Sequence, residues 1–158
     1  MAGDVGTRAP DFTLKNQDWQ PVTLSKEIEK APVVLAFFPA AFSSVCRNEM
    51  CTLRDSFSQM NNLPVAILGV SVDTPFALKA WADAEKLTVP LLSDFNKEVI
   101  RQYDVVNPDM IGLRNIAKRA VIVIDRTGVI RYREALDDAR NEPDYQRLKQ
   151  AVAGLGGA

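Results

Sequence analysis

Apolar and polar positions change period several times along the 158 residues, and each change predicts an element. The unbroken β-branched and aromatic run Val33 to Phe38 predicts a buried strand, which Pro39 should end. Val65 to Val72 predicts the next strand, and between the two, Ser43 and Ser44 offer caps for a helix running from about Ser44 toward Met60. Pro75 to Lys86 carries Phe76, Leu78, Trp81 and Ala82 at helical spacing and predicts another helix. Val89 to Leu92 then predicts a short strand and Asn96 to Tyr103 a short helix. Ala120 to Asp125 and Val129 to Arg133 flank D-R-T-G, the signature of a hairpin. A smaller N-terminal hairpin is predicted from Phe12 to Leu14 and Val22 to Leu24, a last helix from Tyr145 to Ala153, and a flexible tail over 154–158. Asp104 to Lys118 has no clear period and predicts a long irregular segment, of a kind more often functional than idle.

Strands alternating with helices and followed by a hairpin imply an α/β fold class, a central mixed β-sheet flanked by helices, in one domain spanning 1–158. That length buries a substantial core without disulfides. No internal repeat is present. A net charge of -1 with acids and bases interspersed gives neither a nucleic-acid footprint nor a polybasic membrane patch. The N-terminus carries no apolar signal core and no later run approaches a membrane span, so a reducing cytoplasm is the expected location. Two cysteines in that compartment are more often catalytic than structural.

The chemistry concentrates in F-F-P-A-A-F-S-S-V-C-R-N-E-M-C, Phe37 to Cys51. Cys46 falls in or near the first turn of the predicted helix, where unpaired backbone N–H groups and the positive end of the dipole stabilise a thiolate. The chain contains no histidine, which excludes a Cys-His dyad, a His-ligated metal and a histidine general base. Two cysteines spaced C-x-x-x-x-C leave a tetrahedral zinc site short of ligands, so no metal and no cofactor is expected. Whatever activates Cys46 must be a dipole or a fixed charge, which Arg47, Arg54 and Arg101 could each supply. On position alone each residue also has a plainer reading. Cys46 would be a small buried hydrophobe, Ser43 a helix cap, Pro39 a strand terminator, Trp81 core packing and Arg119 a solvated edge charge.

Pro39, Ser43 and Cys46 meet the pattern P-x-x-x-T/S-x-x-C, and with it the chain resembles the peroxiredoxins. Support comes from F-F-P before the cysteine, Glu49 after it, P-L-L-S-D at Pro90 to Asp94, R-A-V-I-V-I-D-R-T-G at Arg119 to Gly128, and A-P-D-F-T-L near the N-terminus. A-F-S-S-V-C and the following L-R-D resemble the alkyl hydroperoxide reductase E type, whereas a second cysteine five residues after the first resembles the bacterioferritin-comigratory or Q type. The resemblance implies a thioredoxin fold and a thiol peroxidase that reduces hydrogen peroxide and organic hydroperoxides through a sulfenic acid at Cys46. It also implies roles for the neighbours. Arg119 would face the thiolate and polarise the peroxide, Ser43 would donate a hydrogen bond, Pro39 would exclude water, and Glu49 would orient the arginine rather than transfer a proton.

Cys51 has two readings. On an intact helix, residues five apart are separated by about 7.5 Å of rise and roughly 140° of rotation, which puts their Cα atoms roughly 8 to 9 Å apart. A disulfide tolerates about 7 Å, so joining Cys46 to Cys51 requires the helix to unwind. The Q-type resemblance implies that unwinding, with Cys51 as a candidate resolving residue and a thioredoxin-like or glutaredoxin-like protein as reductant. The E-type resemblance implies a one-cysteine cycle in which Cys51 only packs. Both a homodimer and a monomer accord with the resemblance. A binding or chaperone module on the same fold would not need the full set of Pro39, Ser43, Cys46 and Arg119. A thioredoxin-like reductase is disfavoured by C-x-x-x-x-C in place of C-x-x-C.

Overall fold

The computed structural model describes residues 3–58 and 65–155. Thr13–Asn16 (β1) and Pro21–Thr23 (β2) pair as the N-terminal hairpin, with Leu14 opposite Val22, and Leu24–Lys30 (α1) follows at once. Three strand-helix units come next: Val33–Phe37 (β3) with Ser44–Ser58 (α2), Ala66–Ser71 (β4) with Pro75–Glu85 (α3), and Leu91–Ser93 (β5) with Glu98–Gln102 (α4). Val106–Met110 (β6) and Leu113–Ala117 (β7) form a separate hairpin. Arg119–Ile124 (β8), Ile130–Leu136 (β9) and Tyr145–Ala153 (α5) complete the order.

The main sheet runs β2-β1-β5-β4-β3-β8-β9. β3, β4 and β5 are parallel, whereas β8 is antiparallel to both β3 and β9, so the sheet is mixed as expected. Alternation along each central strand divides the core between two faces. Val33, Leu35, Phe37, Ile122 and Ile124 pack with Leu24 of α1, with Val99 and Ile100 of α4, and with Tyr103 just beyond it. Val34, Ala36, Phe38, Val121 and Val123 pack with Met50 of α2, Leu78 and Trp81 of α3, and Leu148 and Val152 of α5. Trp81 is fully buried with its ring 5.1 Å from that of Phe38, which places it in the core.

Short polar devices set the ends of these elements. Thr74 caps α3 by accepting from the Ala77 N–H, with Pro75 in the first turn, and Asp144 caps α5 by accepting from the Arg147 N–H. In D-R-T-G, the Asp125 carboxylate accepts from the N–H groups of Thr127 and Val129, and Gly128 takes a φ of 88° that suits glycine. Asp94 of P-L-L-S-D accepts from the N–H groups of Glu98, Val99 and Ile100 and so starts α4 two residues later than the expected Asn96.

Two expectations are corrected. Asp104 to Lys118 is not irregular: it holds the β6–β7 hairpin, with Asn107 opposite Ile116. A two-stranded ribbon beside the main sheet has no continuous core face, and Pro108 interrupts its run, so the alternation that reveals a strand is missing. Leu24 opens α1 instead of ending a strand; Leu24 and Ile28 are the apolar residues of a seven-residue helix, too few to establish a period. The expected continuation of α2 to Met60 lies outside the described residues. Gly154 and Leu155 donate to the carbonyls of Gln150 and Val152 and so belong to the end of α5, while the rest of the expected tail lies outside the described residues.

Candidate active site

β3 delivers the chain to buried Pro39 and then to a tight turn before α2. Phe42 stands in that turn at φ 69°, left-handed backbone that costs a bulky residue about 1–3 kcal/mol. The turn is held by the loop after the neighbouring strand β4, where Asp73 Oδ2 accepts from the Ala41 N–H at 2.8 Å and from the Ser71 hydroxyl at 2.7 Å. Ser93 Oγ donates to the Asp73 carbonyl at 2.6 Å, which ties the loops after β3 and β4 to the end of β5. Sequence reasoning missed Asp73. The available signal was an aspartate between a strand and the capping threonine in S-V-D-T-P. After the turn, Ser43 Oγ accepts from the Cys46 N–H at 3.4 Å and caps α2, which puts Cys46 in the first turn.

Cys46 is fully buried against the sheet. Arg119 opens β8, and because it alternates with Val121 and Val123 its side chain points to the same face, toward α2. The guanidinium forks three ways: Nη2 donates to Cys46 Sγ at 3.2 Å, Nη1 to Glu49 Oε2 at 2.5 Å, and Nε to the Ala139 carbonyl at 3.1 Å. A permanently charged, planar donor set held at both edges stabilises charge on sulfur and presents little freedom to move. At 1 % exposure Arg119 is no solvated edge charge. Of the rival arginines, Arg47 pairs with Glu85 at the surface at 2.8 Å and Arg101 is exposed on α4, while the side chain of Arg54 lies outside the described residues. Ala139 was invisible to sequence reasoning, because a main-chain carbonyl leaves no side-chain signature.

Glu49 lies one turn after Cys46 and is fully buried. Burial pushes its carboxyl up to about 7 against the pull of Arg119, and the charges of Glu142 and Glu134 push the same way. Its Oε1 has no hydrogen-bond partner among the described residues. Beside this array opens a cleft of about 660 Å³, with Pro39, Ser43, Val45 and Arg119 along one side. Asn107, Met110 and Ile111 of the β6–β7 hairpin and the segment Asp138 to Arg140 line the rest. The segment expected to be irregular therefore contributes a wall of the cleft.

The AhpC/TSA family matches residues 5–133 of the chain. This chain belongs to that family, the peroxiredoxins. It is 41% identical over 133 residues to alkyl hydroperoxide reductase E of Mycobacterium bovis, a match covering 83% of this chain and 84% of that protein. It is 34% identical over 164 residues to the chloroplastic 2-cysteine peroxiredoxin of Chattonella marina var. antiqua, covering 96% and 82%. The crystal structure of peroxidoxin BcpB from Mycobacterium tuberculosis superposes with a TM-score of 0.80 at 28% identity, covering 96% of this chain and 95% of that one. The mixed sheet and its helices are thus the thioredoxin fold in its peroxiredoxin form, and the protein is a thiol-dependent peroxidase.

In this peroxiredoxin the two cysteines are both free and share one unbroken helix, α2. Cys46 is fully buried beside the cleft that its partner Arg119 lines, whereas Cys51 is half-buried at the margin of the same apolar cluster. Helix geometry separates them by more than a disulfide spans while α2 is intact.

Proposed function

We propose that Cys46 is the peroxidatic nucleophile and that hydrogen peroxide and organic hydroperoxides are its substrates. A peroxide enters the cleft, the Cys46 thiolate attacks the terminal oxygen, the O–O bond breaks, and a sulfenic acid forms as water or an alcohol departs. The observation that carries this reading is the Arg119 fork on a buried sulfur at the first turn of a helix. Donors already aimed at the sulfur also stabilise charge as it develops on the leaving oxygen. Ser43, in the cleft wall, supplies a hydroxyl to the peroxide, and Pro39 keeps water from the sulfur. Room beside Val45, Met110 and Ile111 accommodates an alkyl group, in keeping with the name of the mycobacterial relative. Cys46→Ser should abolish peroxide consumption by the reduced protein, followed by peroxide loss in single-turnover mixing; retained consumption would refute the assignment.

Cys51 completes the cycle as the resolving thiol. Its position on α2 couples disulfide formation to unwinding of the first turns, which also exposes Cys46 to a thioredoxin-like or glutaredoxin-like reductant. One equivalent of peroxide should remove both thiols without adding oxygen to the mass. A product that gains one oxygen and keeps Cys51 titratable would instead establish a one-cysteine cycle. Both thiols stay reduced in a reducing cytoplasm, which is where we place the protein. A homodimer is favoured by the exposed aromatics Phe42 and Trp19 on loops and Phe76 at the start of α3, linked through Asp73 or by the Trp19–Phe76 ring contact at 5.1 Å. Sedimentation of the wild type against Phe76→Glu tests it.

A further inference from the structure

Two acids face one base at the centre of this site. Arg119 donates to both Cys46 and Glu49, and its side chain is 2% exposed while theirs are fully buried. Among the described residues, the groups facing Glu49 from the surrounding elements bring no second cation. Cys46 lies on its own helix, Glu134 on β9, Glu142 in the β9–α5 connection and Tyr145 on α5. Glu134 accepts from the Asp144 N–H and Glu142 from the Tyr145 hydroxyl, so each has its own partner, and both carboxylates disfavour a charge on Glu49.

Burying two anions against a single guanidinium leaves one negative charge unbalanced in a low-dielectric interior, where charge is costly. Burying one anion leaves none. The second oxygen of Glu49 points the same way. An ionised carboxylate calls for donors at both oxygens, yet Oε1 has none among the described residues, an omission far less costly for a neutral acid. The upward push of burial on the Glu49 carboxyl is consistent with this arrangement.

We propose that Cys46 and Glu49 hold one negative charge between them: when the sulfur is a thiolate Glu49 is a neutral carboxylic acid, and when the sulfur becomes neutral Glu49 ionises. Glu49 is then a positioning residue whose charge follows the state of the sulfur, rather than a permanent anion that only aims Arg119. For catalysis this rests on the peroxidase reading above. The S–O bond forms, the O–O bond breaks, the departing alkoxide takes up a proton from solvent and Glu49 releases one to solvent. Thiolate, carboxylic acid and hydroperoxide become sulfenic acid, carboxylate and alcohol, and the net charge of the buried array is unchanged. Arg119 is therefore always opposed by one anion, before and after the oxidation.

Infrared difference spectroscopy of the full-length protein carrying carbon-13 glutamate tests this, in a Cys51→Ser background and at neutral pH. Methyl methanethiosulfonate converts Cys46 into a neutral mixed disulfide without any peroxide, so the result does not depend on turnover. The reduced protein should show an isotope-sensitive carboxylic-acid carbonyl band that is lost on methylthiolation and replaced by carboxylate bands. The band should be missing in Glu49→Gln. It should also be missing in the reduced Cys46→Ser protein, where no thiolate competes for Arg119, an arm that does not rely on the folding of the Glu49 variant. A glutamate that stays ionised, or stays protonated, in both sulfur states overturns the proposal, as does a band that persists in Glu49→Gln or Cys46→Ser. Peroxide consumption measured separately tests the peroxidase reading, so the two can fail independently.

Discussion

The two faces of the central sheet are built from the same alternating strands and do different work. Under α1 and α4, Leu35, Phe37, Ile122 and Tyr103 bury apolar surface, and the Tyr103 hydroxyl has a carbonyl partner in Pro10. Under α2 the same strands bury Val34, Ala36 and Val121, but the end of the layer holds a thiol, a carboxyl and a guanidinium that satisfy one another only in part. The difference teaches that the site occupies a place where packing has been exchanged for charge. Substitutions on the first face should cost stability. On the second they should cost activity as well.

The sharpest test of the contrast is Cys46→Ser, which should lower peroxide turnover by at least about 1,000-fold while thermal unfolding stays cooperative. Arg119→Ala comes next. Loss of the fork should slow single-turnover oxidation by about 100- to 1,000-fold, and leaving Glu49 buried without its partner should destabilise the protein by about 3 kcal/mol in denaturant titrations at neutral pH. Unchanged kinetics would assign the activating charge to another arginine. On the opposite face, Ile122→Ala should cost about 2–5 kcal/mol by the same titration yet leave the oxidation rate of the folded protein within about twofold. A large kinetic effect there would dissolve the distinction between the faces.

A pH series separates them further. Glu49 binds its proton more tightly in the folded chain, up to about 7 from an ordinary 4.5, so between those values the folded state holds more protons than the unfolded one. Its contribution is therefore full below the lower value and is lost as pH rises through the upper one, by on the order of 3 kcal/mol. Stability measured across that window should fall in the wild type, and the fall should be reduced in Glu49→Gln. The smallest expected effect is that of Ser43→Ala, about 0.5–2 kcal/mol from the lost cap with a modest slowing of oxidation.

Local patterns made much of this legible in advance. The apolar run of β3, the proline that ends it and the serine that caps α2 place Cys46 in a helical first turn, because each signal acts over a few residues. D-R-T-G announced the β8–β9 hairpin for the same reason, through the turn chemistry of Asp125 and Gly128. The β6–β7 ribbon was illegible because it has no core face to impose alternation.

What the sequence by itself determined is the order of the main-sheet strands and larger helices along the chain, the motif around Cys46, and a set of arginines from which its partner could be drawn. The family resemblance singled out Arg119 from that set, and only the tertiary structure supplied the contact itself. Cys46 and Arg119 are 73 positions apart, and they meet because β8 lies antiparallel to β3 with Phe37 opposite Ala120, so that Arg119 emerges on the α2 face. Asp73 on the turn at Ala41 and the Ala139 carbonyl on Arg119 came from the same source. Capping and periodicity are written in neighbouring residues, whereas the charge balance of the site depends on which distant groups the sheet register buries together.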